Sequence, residues 1–170
     1  MKFKLAIYLC ISISFTFLIS CKPTVSLSGA SIPLEAKTIS VAVFANNTTL
    51  GPPTLSQRFT EKMRDVVSQQ TRLALIKNNA DLQFEGYISD YNISAIAIQS
   101  NDQAGQNRLT ISVNVKYTNK FEASKSFEQS FTRFADFASS KAINSVETEL
   151  ITEIYRQLTE DIFNKAFNNW

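Results

Sequence analysis

"RLTISVNVKYT", residues 108–118, alternates without a break. Leu109, Ile111, Val113, Val115 and Tyr117 fall on one side, and Arg108, Thr110, Ser112, Asn114 and Lys116 on the other. Successive side chains of a strand point to opposite faces, so the stretch predicts a half-buried antiparallel strand with one apolar and one polar face. The segment before it, "ADLQFEGYISDYNI" (80–93), alternates in the same way, with Leu82, Phe84, Gly86 and Ile88 opposite Gln83, Glu85, Tyr87 and Ser89. After it, "NKFEASK" (119–125) reads as a turn and "SFEQSFTRFADF" (126–137) as a returning strand. These three strands predict a meander. Phe127, Phe131, Phe134 and Phe137 of the last one read as core.

Outward from the meander lie a further strand and two helices. In "KTISVAVFANN" (37–47), Ile39, Val41 and Val43 alternate with Ser40, Ala42 and Phe44, which predicts a strand buried on both faces. Asn46 to Pro53 is rich in turn residues. Thr54 then stands where an N-cap would, with Gln57 as its capping-box partner. Leu55, Phe59, Met63, Val66, Val67 and Gln70 recur at three and four, the stripe of an amphipathic helix. "RLALI" (72–76) is a short extended piece. Near the end of the chain, Asn144 and Glu147 form a second cap-like pair. A helix over residues 145–168 follows, with Val146, Leu150, Ile154, Leu158, Ile162, Phe163, Ala166, Phe167 and Trp170 as its stripe. The order is β-α-β-β-β-α. It predicts an α+β fold, with two helices packed on one face of a mostly antiparallel four-stranded sheet.

The N-terminus decides where the protein works. Lys2 and Lys4 precede an uncharged run from Leu5 to Ile19, about 15 residues. As a helix that run would be ~22 Å long, short against a bilayer core of ~30 Å. The pattern predicts a secretory signal peptide over residues 1–20. Leu18-Ile19-Ser20-Cys21 resembles a bacterial lipobox. The resemblance implies cleavage before Cys21, a diacylglycerol on its thiol and acylation of the new amine. Residues 21–36, with Pro23, Gly29 and Pro33, read as a tether, and residues 37–170 as a single domain. Cys21→Ala is expected to abolish incorporation of labelled fatty acid and to release the protein from membranes. Two or more acyl chains hold stably where one is marginal. Label retained in the variant would reject the anchor.

Composition narrows the function. The formal net charge of +2 is that of the two signal lysines, so residues 21–170 balance, and nothing points to a nucleic-acid binder. The sequence has no His, and its two Cys are Cys10, in the signal, and Cys21. The commonest general base and the commonest metal ligands are therefore missing. No phosphate-binding Gly-rich loop or nucleophile elbow occurs. The domain reads as a binding or structural part that is not an enzyme and has no metal or other cofactor.

Taken together, "SGASIPLEAKTISVAVFANNTT", "LSQRFTEKMRDVVSQQTRLALI", "ADLQFEGYISDYNI" and "NRLTISVNVKYTN" resemble the LptE-type lipopolysaccharide-assembly lipoproteins. The shared pattern is a strand ending in Phe-x-Asn (44–46), a helix, "TRL" (71–73), and Ala-Asp-x-x-x-Glu-Gly-x-Ile (80–88). The resemblance implies an outer-membrane lipoprotein on the periplasmic side, held by its lipid. It implies two partners, the LptD-type β-barrel that it plugs and lipopolysaccharide. It also implies a role in folding that barrel and in passing lipopolysaccharide to the outer leaflet. "ISVAVFANNT" is also similar to the opening strand of curli-secretion and synthase-activator lipoproteins, so an adaptor or activator of another envelope machine is the rival. The polar face of residues 108–116 reads as a solvated surface, as a wall against a barrel lumen, or as a source of cations for lipid A phosphates. Arg108, Lys116, Lys120 and Lys125 are the candidate residues for that patch.

Overall fold

The computed structural model describes residues 32–96 and 105–168. The signal segment, Cys21, most of the tether and Trp170 lie outside them. The elements are β1 (Thr38–Val41), β2 (Ala45–Asn46), α1 (Leu55–Gln70), β3 (Ala74–Leu75), β4 (Leu82–Ile96), β5 (Gln106–Asn119), a 3-10 turn (Ala123–Lys125), β6 (Phe127–Ala138) and α2 (Ile143–Phe167). The α+β class is as expected, with both helices on one face of the sheet. The sheet itself differs. It is six-stranded and mixed, in the order β3-β1-β4-β5-β6, with β2 beside β4. β1 runs parallel to β3 and β4, and β2 runs parallel to β4. The two additional strands have two residues each: β3 falls within the extended piece expected at residues 72–76, and β2 is too short to show an alternation in sequence.

β4, β5 and β6 form the expected antiparallel meander. Leu109, Ile111, Val113, Val115 and Tyr117 are all buried, as their alternation predicts. A bulge between Ile88 and Asp90 shifts the register of β4, and Tyr91 turns into the core beyond it. In β6, Phe131 and Phe137 are buried and Phe127 is partly buried. Phe134 corrects the expectation of four core phenylalanines. It pairs with Thr110 on the outer face and is 46% exposed.

The first strand also departs from its pattern. Ile39, Ser40 and Val41 are buried, but Val43 is exposed. Past the Ala42 N–H, which still donates to the Phe84 carbonyl at 2.9 Å, the strand gives way as its backbone groups find partners on α1. The Phe44 N–H donates to Thr60 Oγ1 at 3.0 Å, and Ser56 Oγ donates to the Phe44 carbonyl at 2.6 Å. The Phe44 ring is thereby driven inward, edge-on to Phe59, which in turn meets Tyr155 of α2.

Both caps differ from expectation. Thr54 is itself in the helical region, not the extended geometry of a capping residue, and its side chain makes no cap bond. Gln57 instead donates to Glu61 one turn on. At α2 the first flanking residue is Ala142, and Glu147 accepts a 2.6 Å bond from the Tyr91 hydroxyl. The buried stripes hold nonetheless. Leu55, Phe59, Met63, Val66 and Val67 of α1 are buried, while Gln70 is exposed. In α2, Leu150, Ile154, Leu158, Ile162, Phe163, Ala166 and Phe167 are buried.

Asp81 locks β1 to the start of β4. Its Oδ2 accepts from the Lys37 N–H, the Thr38 N–H and the Thr38 hydroxyl at 2.9, 3.0 and 2.9 Å. The Lys37 N–H is the largest cause, with Thr38 next, of a carboxyl held below its ordinary range. A depressed folded-state pKa adds stability at neutral pH that is lost as pH falls through it. The stability gap between wild type and Asp81→Asn should therefore be largest near neutrality and close below about pH 4. Denaturant melts across that range would show it, and a gap independent of pH would refute it.

Candidate functional site

The outer face of β4–β6, turned away from the helices, is a polar surface built by three strands. Its rows follow from the register: Glu85–Lys116–Glu128, Tyr87–Asn114–Ser130, Asp90–Ser112–Thr132, Asn92–Thr110–Phe134 and Ser94–Arg108–Asp136. The middle rows are hydroxyl- and amide-rich, and Ser112 and Thr132 share a hydrogen bond of 2.8 Å. Apart from Asp90 in the central row, charge collects at the two ends. At one, Arg108 grips Asp136 through two bonds of 2.7 and 2.9 Å, and its guanidinium lies 3.5 Å from the centroid of the Phe134 ring. The hydrogen bonds between the pair push Arg108 above and Asp136 below their ordinary ranges. At the other end, Lys116 lies 3.8 Å from Glu85, and Glu128 is its cross-strand neighbour.

The four cations singled out in the sequence are not brought together. Arg108 and Lys116 share the face but stand eight residues apart on β5, or ~26 Å. Lys120 lies past the end of β5, where its ammonium donates to the Asn79 carbonyl at 3.0 Å. Lys125 pairs with Glu122 at 2.9 Å. On the face itself Glu85, Asp90, Glu128 and Asp136 accompany Arg108 and Lys116, so its charge is mixed. A cavity of about 380 Å³ opens beside Lys125, between the β5–β6 turn and the last turn of α2. Ser124, Ser126, Phe127, Asn164 and Lys165 are among the residues lining it. Among the described residues no cluster of three His, Cys, Asp or Glu is placed to hold a metal. No described helix is long and apolar enough to cross a membrane.

Sequence reasoning missed Asp136 and Phe134 as the partners of Arg108. The spacing from Phe134 to Asp136 does place both on one face of a strand, but only the register with β5 sets them beside Arg108. It also missed why Gly86 is glycine. A Cβ there would lie 2.1 Å from the Asn114 carbonyl oxygen and 2.7 Å from Cε1 of Phe44. The Phe-x-Asn and Glu-Gly segments thus meet in space, one ring lying over the residue that has no side chain.

Two solved structures share this architecture. A hypothetical protein from Chlamydia trachomatis is 11% identical at a TM-score of 0.52, over 77% of this chain and 98% of that one. A homolog of the neuraminyllactose-binding hemagglutinin from Helicobacter pylori is 11% identical at 0.51, over 82% and 87%. Rare lipoprotein B from Shewanella oneidensis is 6% identical at 0.47, over 74% and 89%. At such identities the first two speak for the fold alone. No curated protein matches the chain. The family profile described as LptE, lipopolysaccharide-assembly, matches residues 36–166, from the threshold of β1 to the last turn of α2. The chain belongs to the LptE lipopolysaccharide-assembly family.

Proposed function

We propose that the protein is a lipid-anchored, non-enzymatic plug of the lipopolysaccharide translocon. It sits at the periplasmic side of the outer membrane through Cys21, occupies the lumen of an LptD-type β-barrel, assists folding of that barrel, and helps deliver lipopolysaccharide to the outer leaflet. The observation that carries this reading is the family match over residues 36–166. The outer face of the sheet supports it. Three strands of 15, 14 and 12 residues present a wall of hydroxyl and amide groups that suits the polar interior of a barrel. In this reading Arg108 and Lys116 face the lumen, their charges already matched by Asp136 and Glu85. Lys120 and Lys125 lie outside that wall, at the end of the sheet.

Isolation of the lipoprotein in mild detergent tests the proposal. A single large outer-membrane barrel should copurify with it. Copurification of a secretion channel or a polysaccharide synthase in its place would establish the rival, an adaptor of another envelope machine.

A further inference from the structure

We infer that the end of the domain where the tether enters is a docking surface for the anionic phospholipid headgroups of the leaflet that holds the anchor. The inference rests on lipidation of Cys21, part of the function proposed above. The topology defines this end. β1 begins at Thr38, its neighbour β4 begins at Leu82, and Leu82 pairs with Asn119, the last residue of β5. The β5–β6 turn, the residues before β3 and the C-terminal turn of α2 therefore gather where the chain comes in.

This end is built like a membrane-contacting surface. Leu34, near the end of the tether, is 93% exposed, and Phe121 is 46% exposed in the β5–β6 turn. Around them stand Lys37, Arg72, Lys120, Lys125 and Lys165, against Glu35, Asp81, Glu122 and Glu128. Two of those four carboxylates are already engaged, Asp81 by the backbone N–H groups of Lys37 and Thr38 and the Thr38 hydroxyl, and Glu122 by the Lys125 ammonium. The cavity flanked by Lys125 and Lys165 opens here as well, with Ser124 and Ser126 on its wall. Basic side chains beside an exposed aromatic ring suit an anionic interface, where the ring enters the headgroup layer and the cations meet phosphates.

The length of chain outside the structure favours this occupant. From Cys21 to Ile32 is about 11 residue steps, at most ~40 Å when fully extended and ~20 Å as a coil. β5 alone is ~45 Å long, so the tether keeps the near end within its reach of the leaflet, while the far end, at Ser139 and Ser140, lies a further strand length from the anchor. The anchor keeps the near end at high effective concentration over the headgroups, so weak contacts suffice.

Fluorophores on the full mature lipoprotein test the inference. With the Cys21 thiol acylated, Ser124→Cys and Ser140→Cys each offer one labelling site, at the near and far ends. The variants are reconstituted in phosphatidylcholine–phosphatidylglycerol vesicles whose headgroups carry a quencher. The label at 124 should be quenched and the label at 140 left nearly unquenched, and Phe121→Asp should remove most of the difference. Equal quenching at both positions would overturn the docking surface. So would end-specific quenching that needs lipopolysaccharide in the vesicles and is absent with phosphatidylglycerol. A protein that fails to float with the vesicles at all would overturn the anchor, and the docking surface with it.

Discussion

Gly86→Ala should abolish the native fold. The added methyl group would stand 2.1 Å from a backbone oxygen of β5, far inside contact distance, and 2.7 Å from the Phe44 ring. Neither neighbour has room to yield. The oxygen belongs to Asn114, in the middle of the β4–β5 ladder, and Phe44 is fully buried against Phe59. Overpacking a tight core costs about 1–3 kcal/mol where side chains can shift, and a clash with a strand backbone exceeds that. Domain stabilities are only ~5–15 kcal/mol. Circular dichroism melts of wild type and variant would measure the loss. A fall in melting temperature of only a few degrees would mean that β4 and β5 separate at Gly86 with ease.

Val113→Asp should unfold the domain while Ser112→Asp is mild. The two residues are adjacent, but Val113 is fully buried and Ser112 lies on the outer face beside Thr132. A buried carboxylate without a partner costs several kcal/mol, comparable to the whole stability. At residue 112 the new charge would face Asp90 across the ladder, a like-charge pair costing about 0.2–1 kcal/mol. Urea denaturation of the two variants would decide. Equal losses would place a covering layer on the outer face of the sheet.

What could be read in advance followed the length of each pattern. β5 offers five apolar residues at strict alternation, and all five are buried. The stripes of α1 and α2 were equally legible, because each repeats over several turns. The two-residue β2 was not, since pairing with β4 creates it and no local pattern marks it, whereas β3 lies within the short extended piece read at residues 72–76. Val43 and Phe44 defeated the alternation because Ser56 and Thr60, on the following helix, claim the Phe44 backbone. Phe134 looked like core for the same reason that it is not: burial in β6 depends on which face its register with β5 assigns, and an aromatic residue on the polar face is held there by Arg108. The polar face itself was visible as the even-numbered side of residues 108–116. The ion pair within it, and the separation of Arg108 from Lys120 and Lys125, needed three dimensions.

A plug whose sheet faces the inside of a barrel must touch that barrel through the sheet. A photoreactive amino acid placed at Asn114, in the middle row of the outer face, would test this in living cells. The expected product is one crosslinked species containing this protein and a large outer-membrane barrel, lost when the same group is placed at the buried Ile154 of α2. Crosslinking at Asn114 to a secretion or synthase component, or no crosslink at all while the protein is anchored and folded, would contradict it.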